Sequence, residues 1–109
     1  MIAQELLNPK SIVVIGASSD TQKPGGSVLK NLINSNFKGD IYTVNPKETE
    51  VQGIKCFQKV DDLPQVDCAI IAIAAKYCPA TVNTLAFEKG TKGFIIVSAG
   101  FSEENLEGA

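Results

Sequence analysis

A three-layer α/β fold built on a doubly wound parallel sheet is what this sequence predicts, on three observations. Short, β-branched apolar runs such as Ser11–Ile15 (SIVVI) recur, the pattern of strands buried on both faces. Segments with helical apolar spacing lie between them. The first run leads into a long polar loop rich in Ser, Gly and Pro, residues 17–26, which opens a helix.

The elements follow in order. After Ser11–Ile15 and its terminal Gly16, the residues Val28, Leu29, Leu32 and Ile33 recur on one helical face and predict a helix over about 25–36. Gly39-Asp40 makes a turn, and residues 41–44 (IYTV) form a second strand that ends at Asn45-Pro46. Gly53 marks another turn before a short extended stretch, Ile54–Phe57. Asp61 or Asp62 is placed to cap a single helical turn ahead of Pro64. Residues 67–73 (DCAIIAI) read as a buried strand. Pro79 suits the first turn of a helix, because its missing N–H is not needed there; Val82, Leu85 and Ala86 give that helix an apolar face, and Lys89-Gly90 ends it. Residues 93–98 (GFIIVS) are the next strand, and Ser102 with Glu103 and Glu104 opens a last helix. Parallel strands joined by right-handed crossovers give a Rossmann-type sheet. The last helix is barely begun at Ala109, so the expectation is one domain over residues 1–109, truncated at its C-terminus and part of a longer multidomain protein.

Composition narrows the chemistry. The chain has 109 residues, 44% of them hydrophobic, enough for one core. There is no histidine, so the commonest general base and metal ligand are missing; all 10 basic residues are lysine. No catalytic residue and no metal site is expected. A net charge of −2 with no basic block argues against nucleic acid as a partner. No apolar run is long enough to span a membrane, and residues 1–10 do not read as a secretory signal. Cys56, Cys68 and Cys78 are odd in number and form no Cys-x-x-Cys pair; a reduced, cytoplasmic protein is expected.

Ligands of such sheets bind beyond the carboxyl ends of the strands, where the strand order reverses. The loop after the first strand offers backbone N–H groups at Gly16, Gly25 and Gly26, hydroxyls at Ser18, Ser19 and Thr21, and a cation at Lys23, the equipment of an anion site at a helix N-terminus. The Gly-x-Gly-x-x-Gly fingerprint is absent, since Ser18 stands where its second glycine belongs, and there is no Gly-Lys-Ser/Thr loop. The second strand ends in Asn45-Pro46-Lys47, not in the acid that holds the ribose of NAD. A cation there suits an adenosine whose ribose carries a phosphate, as in NADP or coenzyme A; Lys47 also reads as a solvated turn lysine. Lys76 is a further candidate phosphate contact, and Cys78 a candidate reactive thiol beside a helix start.

Four segments in register give the chain a family likeness: LLNPKSIVVIGASS (6–19), VNPK (44–47), IAIAAKY (71–77) and SAGFSE (98–103). Together they resemble the CoA-binding domain of ADP-forming acyl-CoA synthetases, related to the α-subunit of succinyl-CoA synthetase. The resemblance implies a Rossmann-type domain that takes coenzyme A and no nicotinamide. It implies that Gly16, Ala17, Ser18, Lys23 and Gly25 contact the CoA phosphates, with Ser19 and Gly26 in the same loop. Val44, Asn45, Pro46 and Lys47 would hold the adenine and ribose phosphate, Ile73, Ala74 and Ala75 the pantetheine path, and Ser98, Ala99 and Gly100 the far side. The chain departs from the family at Ile73-Ala74-Ala75, where Val-Pro-Ala is usual.

The family joins an acid to CoA through an acyl phosphate and a phosphohistidine carried elsewhere. A chain without histidine would therefore position CoA for acyl transfer and not catalyse alone; the parent would be an acid–CoA ligase, of the acetyl-CoA type. Its partners would be CoA and the remaining domains or subunit, and an exposed apolar edge would allow a homo-oligomer. Two alternatives remain at this point: the CoA-binding domain of a protein acetyltransferase or a standalone CoA-binding protein, and an NADP-dependent oxidoreductase fragment.

Overall fold

The computed structural model describes residues 10–35 and 37–97. Strand β1 (Ser11–Ile15) lies at the centre of the sheet and is buried along its whole length. Helix α1 (Pro24–Asn34) follows, then β2 (Asp40–Val44), the two-residue β3 (Glu50–Val51) and β4 (Ile54–Phe57). A 3-10 turn at Val60–Asp62 leads to β5 (Cys68–Ile71), a second at Ala75–Tyr77 to helix α2 (Cys78–Glu88), and the described elements end with β6 (Gly93–Ile96). The strand order is β3-β4-β2-β1-β5-β6. β1 is parallel to β2, from Ser11 opposite Asp40 to Ile15 opposite Val44, and to β5, from Ile12 opposite Cys68 to Ile15 opposite Ile71. The chain thus runs outward from β1 to β2 and β4, then crosses back to β5 on the other side, which puts the reversal of strand order at the end of β1.

Alternate residues of β1 feed two cores. Val14 packs with Leu29 of α1, Ala17, Val51 and Cys56 on one face. Val13 and Ile15 pack with Val44, Val66, Ile71 and Leu85 of α2 on the other. A strand between two helical layers must be apolar on both sides, which is why SIVVI shows no alternation. Burial pushes the Cys68 thiol above its usual range; a backbone hydrogen bond from Ala69 opposes this, and the neighbouring Asp67 carboxylate reinforces it.

The doubly wound α/β expectation holds, with local corrections. β3 pairs antiparallel with β4, Glu50 opposite Lys55 and Val51 opposite Ile54, so the sheet is mixed at that edge and no helix links β2 to β4. Asp61 and Asp62 lie inside the 3-10 turn; Lys59 stands at its N-cap without a side-chain hydrogen bond. On α2, Leu85 is fully buried, but Ala86 is exposed and Phe87 is 85% exposed. The strand expected over 67–73 is trimmed to Cys68–Ile71; at its start the Asp67 N–H donates to Ser11 Oγ at 3.0 Å and not to a neighbouring strand's carbonyl. The helix expected from Ser102, and residue 36, lie outside the described residues.

The tightest packing is at the start of α1. A Cβ on Gly25 would overlap the carbonyl oxygen of Gly16, and one on Gly26 would overlap that of Asp20. These obstacles are backbone and cannot swing aside, so Gly25→Ala is expected to cost about 1–3 kcal/mol of stability, the range for overpacking, measured by urea unfolding. Gly53→Ala has open space around its Cβ and only a φ of +84° against it, so its cost should stay near 1 kcal/mol. Alkaline pH gives a second expectation. The unfolded chain loses the Cys68 proton before the folded chain does, so stability falls as pH rises through the ordinary thiol range. Cys68→Ala should flatten that fall in thermal melts; an unchanged slope would mean that Cys68 does not set it.

Candidate functional site

The carboxyl ends of β1, β2, β4 and β5 enclose a cavity of about 420 Å³, lined by Ile15, Gly16, Val44, Pro46, Gln58, Val60, Ile73, Ala74 and Tyr77. It sits where the strand order reverses, the position at which open α/β sheets take their ligands. Five of the residues singled out in the sequence meet there: Gly16, Val44, Pro46, Ile73 and Ala74. Ile15, Gln58, Val60 and Tyr77 were not among them. Val60 and Gln58 follow β4 in a segment without periodic pattern, and Tyr77 closes a 3-10 turn, so neither strand nor helix spacing marks them.

The loop between β1 and α1 forms one border of this cavity. Gly16 has φ +86°, and a Cβ on it would stand 2.6 Å from the Ala72 carbonyl oxygen, so this turn of the chain requires glycine. The N–H groups of Gly16 and Ala17 both donate to the Val44 carbonyl, at 2.9 and 3.3 Å, which ties the ends of β1 and β2 together. Beyond them the loop folds on itself. The Asp20 N–H donates to Ser18 Oγ at 3.0 Å, the Gln22 N–H to Asp20 Oδ1 at 2.9 Å, and the Lys23 N–H to the Asp20 carbonyl at 3.0 Å. Lys23 is the N-cap of α1 and makes no side-chain cap, and Pro24 begins the helix. The first N–H groups of a helix have no acceptor within it, and here no acid stands in the first turn. Pro24 has no N–H and the Ser27 N–H donates to the Lys23 carbonyl at 2.8 Å, so the N–H groups of Gly25 and Gly26 are the ones this end of α1 could offer an anion. Ser19 and Lys23 are exposed beside it, while Ala17, Gly25 and Gly26 are buried under the loop.

Asn45 joins this loop to the next. Its side-chain Nδ2 donates to the Ala17 carbonyl at 2.8 Å, and its Oδ1 accepts the Lys47 N–H at 2.8 Å. The second bond is an Asx turn that carries Pro46 to the cavity wall and leaves Lys47 exposed just outside it. Across the cavity, Lys76 Nζ lies 5.2 Å from the centre of the Tyr77 ring, a cation–π contact at the rim. The Cys78 thiol is buried and donates toward the Ile73 and Ala74 carbonyls, at 3.9 and 3.7 Å, so it braces the wall. Ala75 lies in the 3-10 turn that follows this wall; Ser98, Ala99 and Gly100 lie outside the described residues. Among the described residues there is no group of His, Cys, Asp and Glu that could hold a metal ion, and no helix long and apolar enough to cross a membrane.

Comparison with known proteins shows the family and the fold. Residues 10–109 match the family model described as CoA binding domain. The chain is 46% identical to the ADP-forming acetate–CoA ligase II of Archaeoglobus fulgidus over 97% of its own length and 16% of that protein's. It is 45% identical to the α-subunit of the ADP-forming acetate–CoA ligase II of Pyrococcus furiosus, covering 93% of this chain and 22% of that subunit. Among solved structures, the Ca. Korarchaeum cryptofilum dinucleotide forming acetyl-coenzyme A synthetase 1 in complex with phosphate and ADP superposes with a TM-score of 0.81 at 36% identity, over 99% of this chain and 24% of that one. The chain therefore spans less than a quarter of the length of each of these relatives, and within that span it belongs to the CoA-binding domain family.

Proposed function

We propose that this chain is the part of an ADP-forming acyl-CoA synthetase, of the acetate–CoA ligase type, that holds coenzyme A while its thiol attacks an acyl phosphate bound elsewhere in the parent protein. The observation that carries the reading is the position of the cavity. Gly16 in its wall is packed against Gly25 at the start of α1, and Pro46 in its wall is followed directly by the exposed Lys47. CoA has that layout: a ribose bearing a base, a 3′-phosphate and a 5′-pyrophosphate. The adenine enters the cavity between Pro46 and Ile73, where apolar walls cover its faces and the Gln58 amide meets its polar edge. The ribose phosphate meets Lys47, and the pyrophosphate meets the first turn of α1 with Ser18, Ser19 and Lys23, where the helix dipole contributes about 0.3–1 kcal/mol. The N–H groups of Gly16 and Ala17 are already committed to Val44, so these two residues shape the loop and leave direct contact to its later part.

The chemistry asked of this chain is positioning. Fixing the adenosine end of CoA decides where the distant thiol can reach, and a reactant held in place reacts faster than one that must diffuse into place. With no histidine, the chain has no phosphohistidine of its own, and the phosphoryl and acyl steps fall to the remaining domains or subunit of the parent.

Calorimetric titration of the 109-residue chain with CoA, dephospho-CoA and NADP tests the reading. CoA is expected to bind more tightly than dephospho-CoA, and NADP not at all. Lys47→Glu should weaken CoA by roughly tenfold, about 1.4 kcal/mol, and dephospho-CoA much less, because only CoA has the ribose phosphate. Equal losses for the two ligands would remove Lys47 from that role, and NADP binding in place of CoA would overturn the proposal.

A further inference from the structure

The β3–β4 hairpin has no counterpart in a purely parallel sheet, and its turn reaches back across the molecule. Gln52, the first of the two turn residues, has φ +51°, the only non-glycine positive φ among the described residues; Gly53 follows at +84°. Two successive positive φ values match the twist of a tight hairpin, where Asn or Gly is the usual first residue. Glutamine is strained there. Its half-buried side chain makes two long-range bonds: Nε2 donates to the Ser18 carbonyl at 2.9 Å and to the Gly26 carbonyl at 3.0 Å.

Ser18 lies in the middle of the β1–α1 loop, and Gly26 lies in the first turn of α1. The other polar bonds of this loop, among Ser18, Asp20, Gln22 and Lys23, are local and fix its internal shape. Asn45 holds only its beginning, at Ala17. Among the described residues, Gln52 is the side chain that ties the middle of the loop to the helix start from outside.

We infer that Gln52 is a positioning residue for the phosphate end of the site, holding the Ser18 segment over the first turn of α1 so that both present their donors to one anion; this rests on the CoA reading above. Without the clamp the loop must be ordered when the ligand binds, at a cost in affinity. The strained backbone at Gln52 follows from this role. Glycine would suit the turn better, but it has no amide to reach the loop.

Stability and affinity should therefore move apart on substitution. In the 109-residue chain, Gln52→Gly relieves the turn, so its melting temperature is expected to hold or rise while CoA affinity falls about tenfold, the scale of one or two net hydrogen bonds. Gln52→Glu keeps the size but has no donor for the two carbonyls, and it should lose affinity to a similar extent. Wild-type chain that binds CoA while both variants bind it equally well would overturn the positioning role and leave the CoA reading standing. A parallel fall of melting temperature and affinity in Gln52→Gly would assign Gln52 to fold stability alone, which also overturns the role. Wild-type chain that fails to bind CoA would overturn the CoA reading and this role with it.

Discussion

The close approach of α1 to the end of β1 is the constraint on which the rest depends. No side chain fits between Gly25 and the Gly16 carbonyl, or between Gly26 and the Asp20 carbonyl. The helix therefore starts directly against the strand, and the intervening loop must fold up and over its first turn. That single contact leaves the N-terminal N–H groups of α1 beside the carboxyl edge of the sheet. It also explains why Leu29 falls on Val14: the register of the helix face is set by where the helix begins. The glycines of this loop are required first by the chain's own backbone, and their use toward a ligand is a consequence of the packing they permit.

The second consequence is mechanical coupling of the loops around the cavity. Val44 accepts the Gly16 and Ala17 N–H groups, Asn45 donates to Ala17, and Gln52 donates to Ser18 and Gly26. Each bond joins the β1–α1 loop or the first turn of α1 to the segment that runs from β2 through the hairpin. The Asx turn at Asn45 then sets Pro46 on the cavity wall and Lys47 at its outer edge. An anion anchor at the helix start and a cation after β2 are thus held at a fixed separation by main-chain and amide hydrogen bonds, which do not weaken with salt as exposed ion pairs do.

Much of this was legible in the residues, for a physical reason. β1 and β5 are central parallel strands covered on both faces, so their apolar runs are continuous and stand out from the polar loops; β2 and β6 carry similar runs and pair parallel beside them. β3 was not legible, because two residues carry no period and Gln52-Gly53 is not a usual hairpin dipeptide. Ala86 was misplaced on the buried face of α2 because the helix presents only a narrow apolar stripe, with Leu85 buried and Phe87 outward. At the site, Gly16, Pro46 and Ala74 could be read from their place just past strand ends, and Val44 and Ile73 only from the family resemblance. Gln58, Val60 and Tyr77 could not, since they reach the cavity from turns, and neither could Gln52, whose role appears only once the hairpin is folded back onto the loop.

The central claim is that one ligand, coenzyme A, spans the cavity and the start of α1. Amide chemical-shift mapping of the 15N-labelled chain during titration with CoA tests it most directly. The account predicts perturbations confined to the loop after β1, the segment from Asn45 to Val60, and residues 73–77, with saturation at a single affinity. Perturbations centred on the opposite, amino-terminal edge of the sheet, or changes at the cavity without any at Ser18 to Gly26, would contradict it.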